Sequence, residues 1–149
     1  MTVPKTEKSN PTLSVSQSFD VERIRGLLCS AFEGGSNYWY RIEKANFPEG
    51  RSAADYKEGG DGQDGKWYWH WSQLVPTHEG GSLIVTNSFG DEIGGKKQWT
   101  LDLDAIKRGL QIMAEKYPRH YGNFIAENDD ADTGDVFLQC CLFGELVYG

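Results

Sequence analysis

The pattern of apolar and polar residues along this chain predicts three amphipathic helices. Apolar side chains recur at three- and four-residue spacing in three stretches, which places them on one side of a helix. A side chain that can accept hydrogen bonds from free backbone N–H groups precedes each stretch, and glycine or proline ends the first two. The helices, with their possible caps, are predicted at 21–32 (Ser18 or Asp20), 105–117 (Asp102 or Asp104) and 136–144 (Asp132 or Thr133).

Shorter segments with alternating or β-branched and aromatic residues predict about five strands, because successive side chains of a strand point to opposite faces of a sheet. Strands and helices that do not alternate regularly are typical of an α+β fold. We therefore expect one α+β domain over 12–149, with an antiparallel sheet packed against the helices, and a flexible N-terminal arm over 1–11. The strands are predicted at 12–16, 36–42, 67–71, 82–86 and 96–101, the last two as a hairpin.

Two aromatic clusters are the most distinctive feature of the sequence. The first aromatic cluster (38–40) is Tyr-Trp-Tyr and the second aromatic cluster (67–71) is Trp-Tyr-Trp-His-Trp; together they hold seven of the twelve Trp and Tyr residues. Strand alternation would place Tyr38 and Tyr40 on one face of the sheet and Trp39 on the other. Half of each cluster then packs inward, and the clusters are either core alone or core plus an outward recognition surface.

The outward half of the clusters is a candidate ligand-binding surface. Aromatic rings stack on flat ligands such as nucleobases, for about 1–3 kcal/mol per base. Neighbouring Asn, Arg and His side chains can donate to phosphates and base edges. We predict a nucleotide-like ligand between the two clusters, closed off by the glycine-rich 58–65 loop, with no cofactor. The candidate ligand-binding residues are Asn37, Tyr38, Trp39, Tyr40, Arg41, Trp67, Trp69, His70, Trp71, Arg119 and His120.

The sequence gives little evidence of catalytic or metal-binding motifs. The chain contains no Gly-x-Ser-x-Gly nucleophile turn, no His-Glu-x-x-His and no phosphate-binding loop. The acidic turn at 128–134 differs from a calcium loop, because Thr133 and Gln139 stand where glycine and glutamate are needed. We predict no catalytic residues and no metal. A hydrolase of phosphoryl or glycosidic bonds, with His70 or His120 as acid–base group, is the remaining enzymatic alternative.

Charge and cysteine content narrow the possible partners. The net charge of −7 disfavours direct binding to nucleic acid, although an acidic surface can also imitate it. Three cysteines, with Cys140 and Cys141 adjacent, fit buried thiols in the reducing cytoplasm better than disulfides. No apolar run reaches the roughly 20 residues of a membrane-spanning helix, so we expect no membrane association.

Two segments resemble a known group of proteins. Residues 31–42 (AFEGGSNYWYRI) and 135–149 (DVFLQCCLFGELVYG) are similar to small uncharacterised proteins of tailed bacteriophages and prophages. The resemblance implies a small accessory protein of viral origin in the host cytoplasm, and such proteins often counter host defence by binding. It is compatible with sequestration of a nucleotide signal by a homo-oligomer. It is equally compatible with an acidic inhibitor of a host defence protein or nucleic-acid-binding protein.

Overall fold

A computed structural model of the chain describes residues 10–52, 55 and 70–149, and shows an α+β fold. Over these residues it has five helices and three strands, so the predicted fold class is confirmed, with fewer strands than the five expected. The helices are α1 (Val21–Ser30), α2 (Trp71–Leu74), α3 (Leu103–Lys116), α4 (Pro118–Ile125) and α5 (Ala131–Phe143). The strands are β1 (Tyr40–Asn46), β2 (Ser82–Asn87) and β3 (Gln98–Leu101).

The sheet is antiparallel, with β2 between β1 and β3. Val85 at its centre pairs with Ile42 on one side and with Trp99 on the other. Side chains on β2 and β3 alternate between buried and more exposed positions, which is the pattern that predicted this hairpin. The hairpin prediction is therefore confirmed, with β3 starting two residues later than expected.

The strand predicted at 12–16 is wrong. Its backbone has no regular secondary structure, and the side chains of Leu13 and Val15 are 88% and 90% exposed. Two alternating apolar residues do not hold a strand unless a neighbouring strand completes its hydrogen bonds. The 36–42 prediction is wrong at its start, because β1 begins only at Tyr40 and the preceding residues form a turn.

The strand predicted at 67–71 is wrong at its C-terminal end, because helix α2 begins at Trp71. Residues 67–69, and the whole of the 58–65 loop prediction, lie outside the described residues. His70 instead caps α2: its Nδ1 accepts from the backbone N–H of Ser72, and its own N–H donates to the side chain of Gln73. This reciprocal capping satisfies backbone groups at the start of the helix and explains why the segment leaves the extended conformation.

The three predicted helices are present as α1, α3 and α5, and two further helices, α2 and α4, were not predicted. Asp102 caps α3 by accepting from Ala105 N–H over 2.9 Å. The cap of α5 is Asp130, rather than the predicted Asp132 or Thr133, so α5 starts earlier and contains both of them. The sequence predicted Pro118 only as the residue that ends a helix. In the structure it is also the first residue of α4. Proline suits that position because the first helical N–H has no intrahelical partner.

The core forms where α1, α3 and the sheet pack around α5. Gly109 of α3 lies directly against α5, and an added Cβ there would stand 2.9 Å from the Cα of Cys141. The small residue therefore sets the distance between these two helices. Cys140 and Cys141 are buried and Cys29 is half-buried, all three as free thiols; burial raises the pKa of Cys140 to about 12. Across residues 10–52, 55 and 70–149, no helix has the length and apolarity required to cross a bilayer.

Candidate functional site

The first aromatic cluster is held against the start of α5 by a turn that glycine makes possible. After α1 the chain widens into one π-helical turn, Ala31–Gly35, and then reverses at Ser36. Gly35 lies so close to α5 that an added Cβ would stand 2.8 Å from the backbone carbonyl carbon of Ala131. A larger residue would therefore push this turn away from α5.

Asp135 of α5 is the polar centre of this contact. Its Oδ1 accepts hydrogen bonds from Ser36 Oγ and from Trp39 Nε1, each over 2.7 Å, and its Oδ2 accepts from the Tyr38 hydroxyl over 3.0 Å. The Asp135 side chain is only 8% exposed. A carboxylate at this depth is stable only when donors compensate its lost hydration, and these three donors do so.

Gln139, one helical turn after Asp135, fixes the 144–149 segment beside the first aromatic cluster. Its Oε1 accepts from the backbone N–H groups of Val147 and Tyr148, both over 2.8 Å, and its Nε2 donates to Tyr148 O over 3.0 Å. The ring of Tyr148 stacks on Trp39 with centroids 5.6 Å apart, and its hydroxyl donates to Asp91. The segment is thus held by backbone and ring contacts together.

These parts enclose a cleft of about 360 Å³, which we name the α5 cleft. Its volume lies in the range of small-ligand sites. His120 of α4 reaches its edge, with Nδ1 3.2 Å from the hydroxyl of Thr133. The α5 cleft is lined by Gly35, Tyr38, His120, Asp132, Asp135, Val136, Leu146, Tyr148 and Gly149.

The α5 cleft is acidic with two neutral aromatic walls. Among the described residues, Asp132 and Asp135 line it, and His120 is its one basic side chain. Burial and a hydrogen bond to a carboxylate raise the pKa of both Tyr38 and Tyr148 to about 12, so both phenols keep their protons at neutral pH. The positive end of the α5 dipole, about half an elementary charge, offsets only part of the charge of the two carboxylates.

Of the predicted site residues that the structure describes, Tyr38 and His120 line the α5 cleft and the others do not. Trp39 is completely buried, which means that its ring belongs to the core and is not available to stack on a ligand. Tyr40 is half-buried and donates to Phe32 O over 2.7 Å. Because the turn before β1 breaks strand alternation, Trp39 and Tyr40 both face inward, whereas they were expected on opposite faces.

The other predicted residues are spread over the molecule. Asn37, Arg41 and Arg119 are exposed, and the Arg41 guanidinium stands 3.8 Å from Glu43. His70 caps α2, and Trp71 is half-buried against the core. Trp67 and Trp69 lie outside the described residues, so the predicted pairing of the two aromatic clusters stays a prediction.

Sequence reasoning missed Asp135, Gln139 and Tyr148. A signal for the first two was present, because polar residues four positions apart share one face of a helix. That face lies in a stretch that is otherwise apolar, where buried polar groups need partners. The partners themselves lie far away in sequence, and nothing local identifies them.

Comparison of the chain with protein-family models, curated proteins and solved structures found no match. In the part of the chain that the structure describes, no group of three or more His, Cys, Asp or Glu side chains could hold a metal ion. The ligand that suits the α5 cleft is therefore inferred from the charges, rings and hydrogen bonds of the cleft.

Proposed function

We propose that this protein is a non-catalytic binding protein that accepts a lysine or arginine side chain of a partner protein in the α5 cleft. The observation that carries the proposal is that two carboxylates, Asp132 and Asp135, line the same cleft as the rings of Tyr38 and Tyr148. The proposal is a specific form of the acidic-inhibitor hypothesis.

Charge favours a cationic ligand. Two carboxylates face one histidine in the α5 cleft, and the whole chain carries a net charge of −7. A basic partner would be attracted over a distance of about one Debye length, roughly 8–10 Å at ordinary ionic strength. A phosphate in the same position would lie beside carboxylates of like sign.

The shape of the α5 cleft also suits such a side chain. Lysine and arginine have an apolar stem and a charged end, so they pack well where aromatic rings lead to carboxylates. The rings of Tyr38 and Tyr148 lie edge to face, with centroids 6.4 Å apart. Ring faces attract cations by about 0.5–1 kcal/mol at exposed sites and more when water is excluded.

The remaining hypotheses from the sequence are still predictions. A nucleotide-type ligand would depend on the second aromatic cluster, of which 67–69 lie outside the described residues. A phage origin, a counter-defence role in the host cytoplasm and homo-oligomer formation are compatible with a partner-binding cleft. They follow from the resemblance and not from the geometry. The hydrolase alternative has His120 beside Asp132 and Asp135 as its candidate groups.

A titration monitored by NMR tests the proposal. The probes are Nα-acetyl-arginine amide and its uncharged citrulline counterpart, with adenosine monophosphate as a third arm. We expect the arginine probe to shift the indole N–H signal of Trp39, which lies on Asp135, and the citrulline probe to leave it in place. Equal responses to arginine and citrulline would refute the cation site, and a response only to the nucleotide would favour the sequestration hypothesis.

A matched pair of variants separates the α5 cleft from general charge. Asp132→Asn should weaken the binding of the arginine probe about two- to fivefold, as expected for the loss of one exposed charge. Asp104→Asn is the control, because Asp104 is likewise exposed and holds the second position of helix α3 as Asp132 does in α5. Equal weakening by both variants would show that only the net charge matters.

A further inference from the structure

A basic cluster stands apart from the α5 cleft, where α1 packs against the 3₁₀ turn Val75–Thr77 that follows α2. Arg25 of α1 donates from Nε to the hydroxyl of Thr77 over 3.0 Å, and its Nη2 lies 3.3 Å from Nε2 of His78. Because arginine is always a donor, His78 Nε2 accepts in this contact. Two basic side chains therefore meet in a protein whose net charge is −7.

The arginine is held in a fixed orientation by Thr77. The hydroxyl of Thr77 lies 2.8 Å from Leu74 O and 2.9 Å from Gln73 O, so its proton points into the turn and its oxygen is left to accept from Arg25. The guanidinium is thereby anchored at Nε. Within the described residues, Nη1 of Arg25 has no hydrogen-bond partner, and no carboxylate lies within 4.0 Å of this guanidinium.

The pKa values of both basic side chains are lowered in this arrangement. Burial lowers the pKa of Arg25, and the charge of Glu22 offsets only part of that effect. Burial, followed by the positive charges of Arg25 and Arg51, lowers the pKa of His78. Protonation of His78 would end this hydrogen bond and set a second positive charge beside Arg25, and an anion bound by both side chains would offset that cost.

We infer that Arg25 and His78 form a binding site for a phosphate group, with Arg51 adding positive charge. The planar guanidinium offers its Nη groups to phosphate oxygens, and the histidine completes the site once it is protonated. This site is independent of the proposed cation site in the α5 cleft.

The surrounding charges limit the strength of the site. Glu22 precedes Arg25 on α1, and Glu79 follows His78. His78 also borders a depression of about 460 Å³ whose charged lining includes Glu79, Asp102, Asp104 and Lys107. We therefore place the phosphate on the Arg25 side of His78, and we expect affinities in the millimolar range for the inorganic ion.

The His78 ring supplies the readout, because the chain has only three histidines and their ring signals can be assigned individually. The pKa of each histidine is measured by NMR in chloride and in inorganic phosphate at matched ionic strength. Bound phosphate should raise the pKa of His78 by about 1, since an opposite charge within a few ångströms favours the protonated ring. The ring signals of His70 and His120 serve as internal controls and should respond alike to both salts.

Two arms of the same experiment distinguish the source of the phosphate. Adenosine monophosphate is compared with inorganic phosphate and with adenosine. If adenosine monophosphate binds more tightly than inorganic phosphate, the site belongs to a phosphate-bearing ligand. If the two bind equally, the site belongs to the free ion. Both results support a phosphate site, and an unchanged pKa of His78 in all phosphate arms would overturn it.

Variants of Arg25 test its role. Arg25→Gln should abolish the phosphate-induced rise in the pKa of His78, and Arg25→Lys should retain it in weaker form because the charge remains without the planar fork. Arg41→Gln is the control, because Arg41 is exposed and stands near Glu43. If the phosphate response persisted in Arg25→Gln while the signals of His70 and His120 stayed native, the assignment would be wrong.

Discussion

The indole nitrogen of Trp39 donates a hydrogen bond over 2.7 Å to Oδ1 of Asp135, and both side chains are buried. A tryptophan that the sequence predicted as a ligand-stacking ring thus connects the turn before β1 to α5. Because the neighbouring Tyr38 bonds to the same carboxylate, the geometry of the α5 cleft depends on this contact.

Removing the Asp135 carboxylate should destabilise the protein strongly. Asp135→Ala leaves the buried donors of Ser36 and Trp39 without partners, and each such group costs about 1–3 kcal/mol. We expect the free energy of unfolding in urea to fall by about 2–4 kcal/mol. In a double-mutant cycle with Trp39→Phe, the combined loss should be smaller than the sum of the two single losses. Strict additivity would show that the two side chains are not coupled.

Replacing Gln139 should release the 144–149 segment while leaving the core intact. Gln139→Met keeps the side-chain volume but removes the three hydrogen bonds to Val147 and Tyr148. We expect faster hydrogen exchange at these two backbone amides, with unchanged protection in β2. Gln111→Met is the matched control, since Gln111 is exposed and its side chain donates to Glu115 one helical turn away. Unchanged exchange in Gln139→Met would contradict the role given to this residue.

Alkaline pH should destabilise the protein through Tyr38 and Tyr148. Their folded-state pKa of about 12 exceeds the unfolded value of roughly 10. The unfolded chain therefore loses these protons first as pH rises, and stability that is complete below pH 10 is lost progressively towards pH 12. Absorbance of tyrosinate and the urea midpoint, recorded together from pH 8 to pH 12, check this. Tyr148→Phe should make the loss of stability less steep.

Two glycine-to-alanine substitutions in helices should have opposite effects. At Gly109 the new methyl group would overlap Cys141 of α5, so we expect a loss of about 1–3 kcal/mol or more. At Gly26 no atom lies within 4 Å of the added Cβ, so alanine should stabilise α1 by about 0.5–1 kcal/mol. Thermal melts of both variants are the measurement. A stabilised Gly109→Ala would show that α3 and α5 are not packed as described.

The local sequence was sufficient to predict a helix or strand wherever its apolar periodicity or alternation is unambiguous. The periodicity of 21–32 and 105–117 gave α1 and α3, and the alternation in 82–101 gave the β2–β3 hairpin. The interpretation failed where a local signal has two meanings. Pro118 ends one helix and starts the next, and His70 can belong to a strand or cap a helix. The second outcome in each case depends on packing that the sequence pattern does not show.

For the candidate site, the sequence located the first aromatic cluster and His120 but not their partners. Trp39 and Asp135 are separated by 96 positions, and Ser36 and Asp135 by 99, so no spacing rule connects them. The same holds for the pairing of Arg25 with His78, which are 53 positions apart.

The sequence by itself determined the α+β class, the three longest helices, the central hairpin and the concentration of aromatic residues near β1. These features arise from periodicity, capping and turn chemistry, which act over a few residues. The tertiary structure alone decided which aromatic rings are buried, that Asp135 is the carboxylate they meet, and that an acidic cleft lies beside them. Those outcomes depend on how α5 packs against the turn before β1, and burial of polar groups is settled only when distant segments come together.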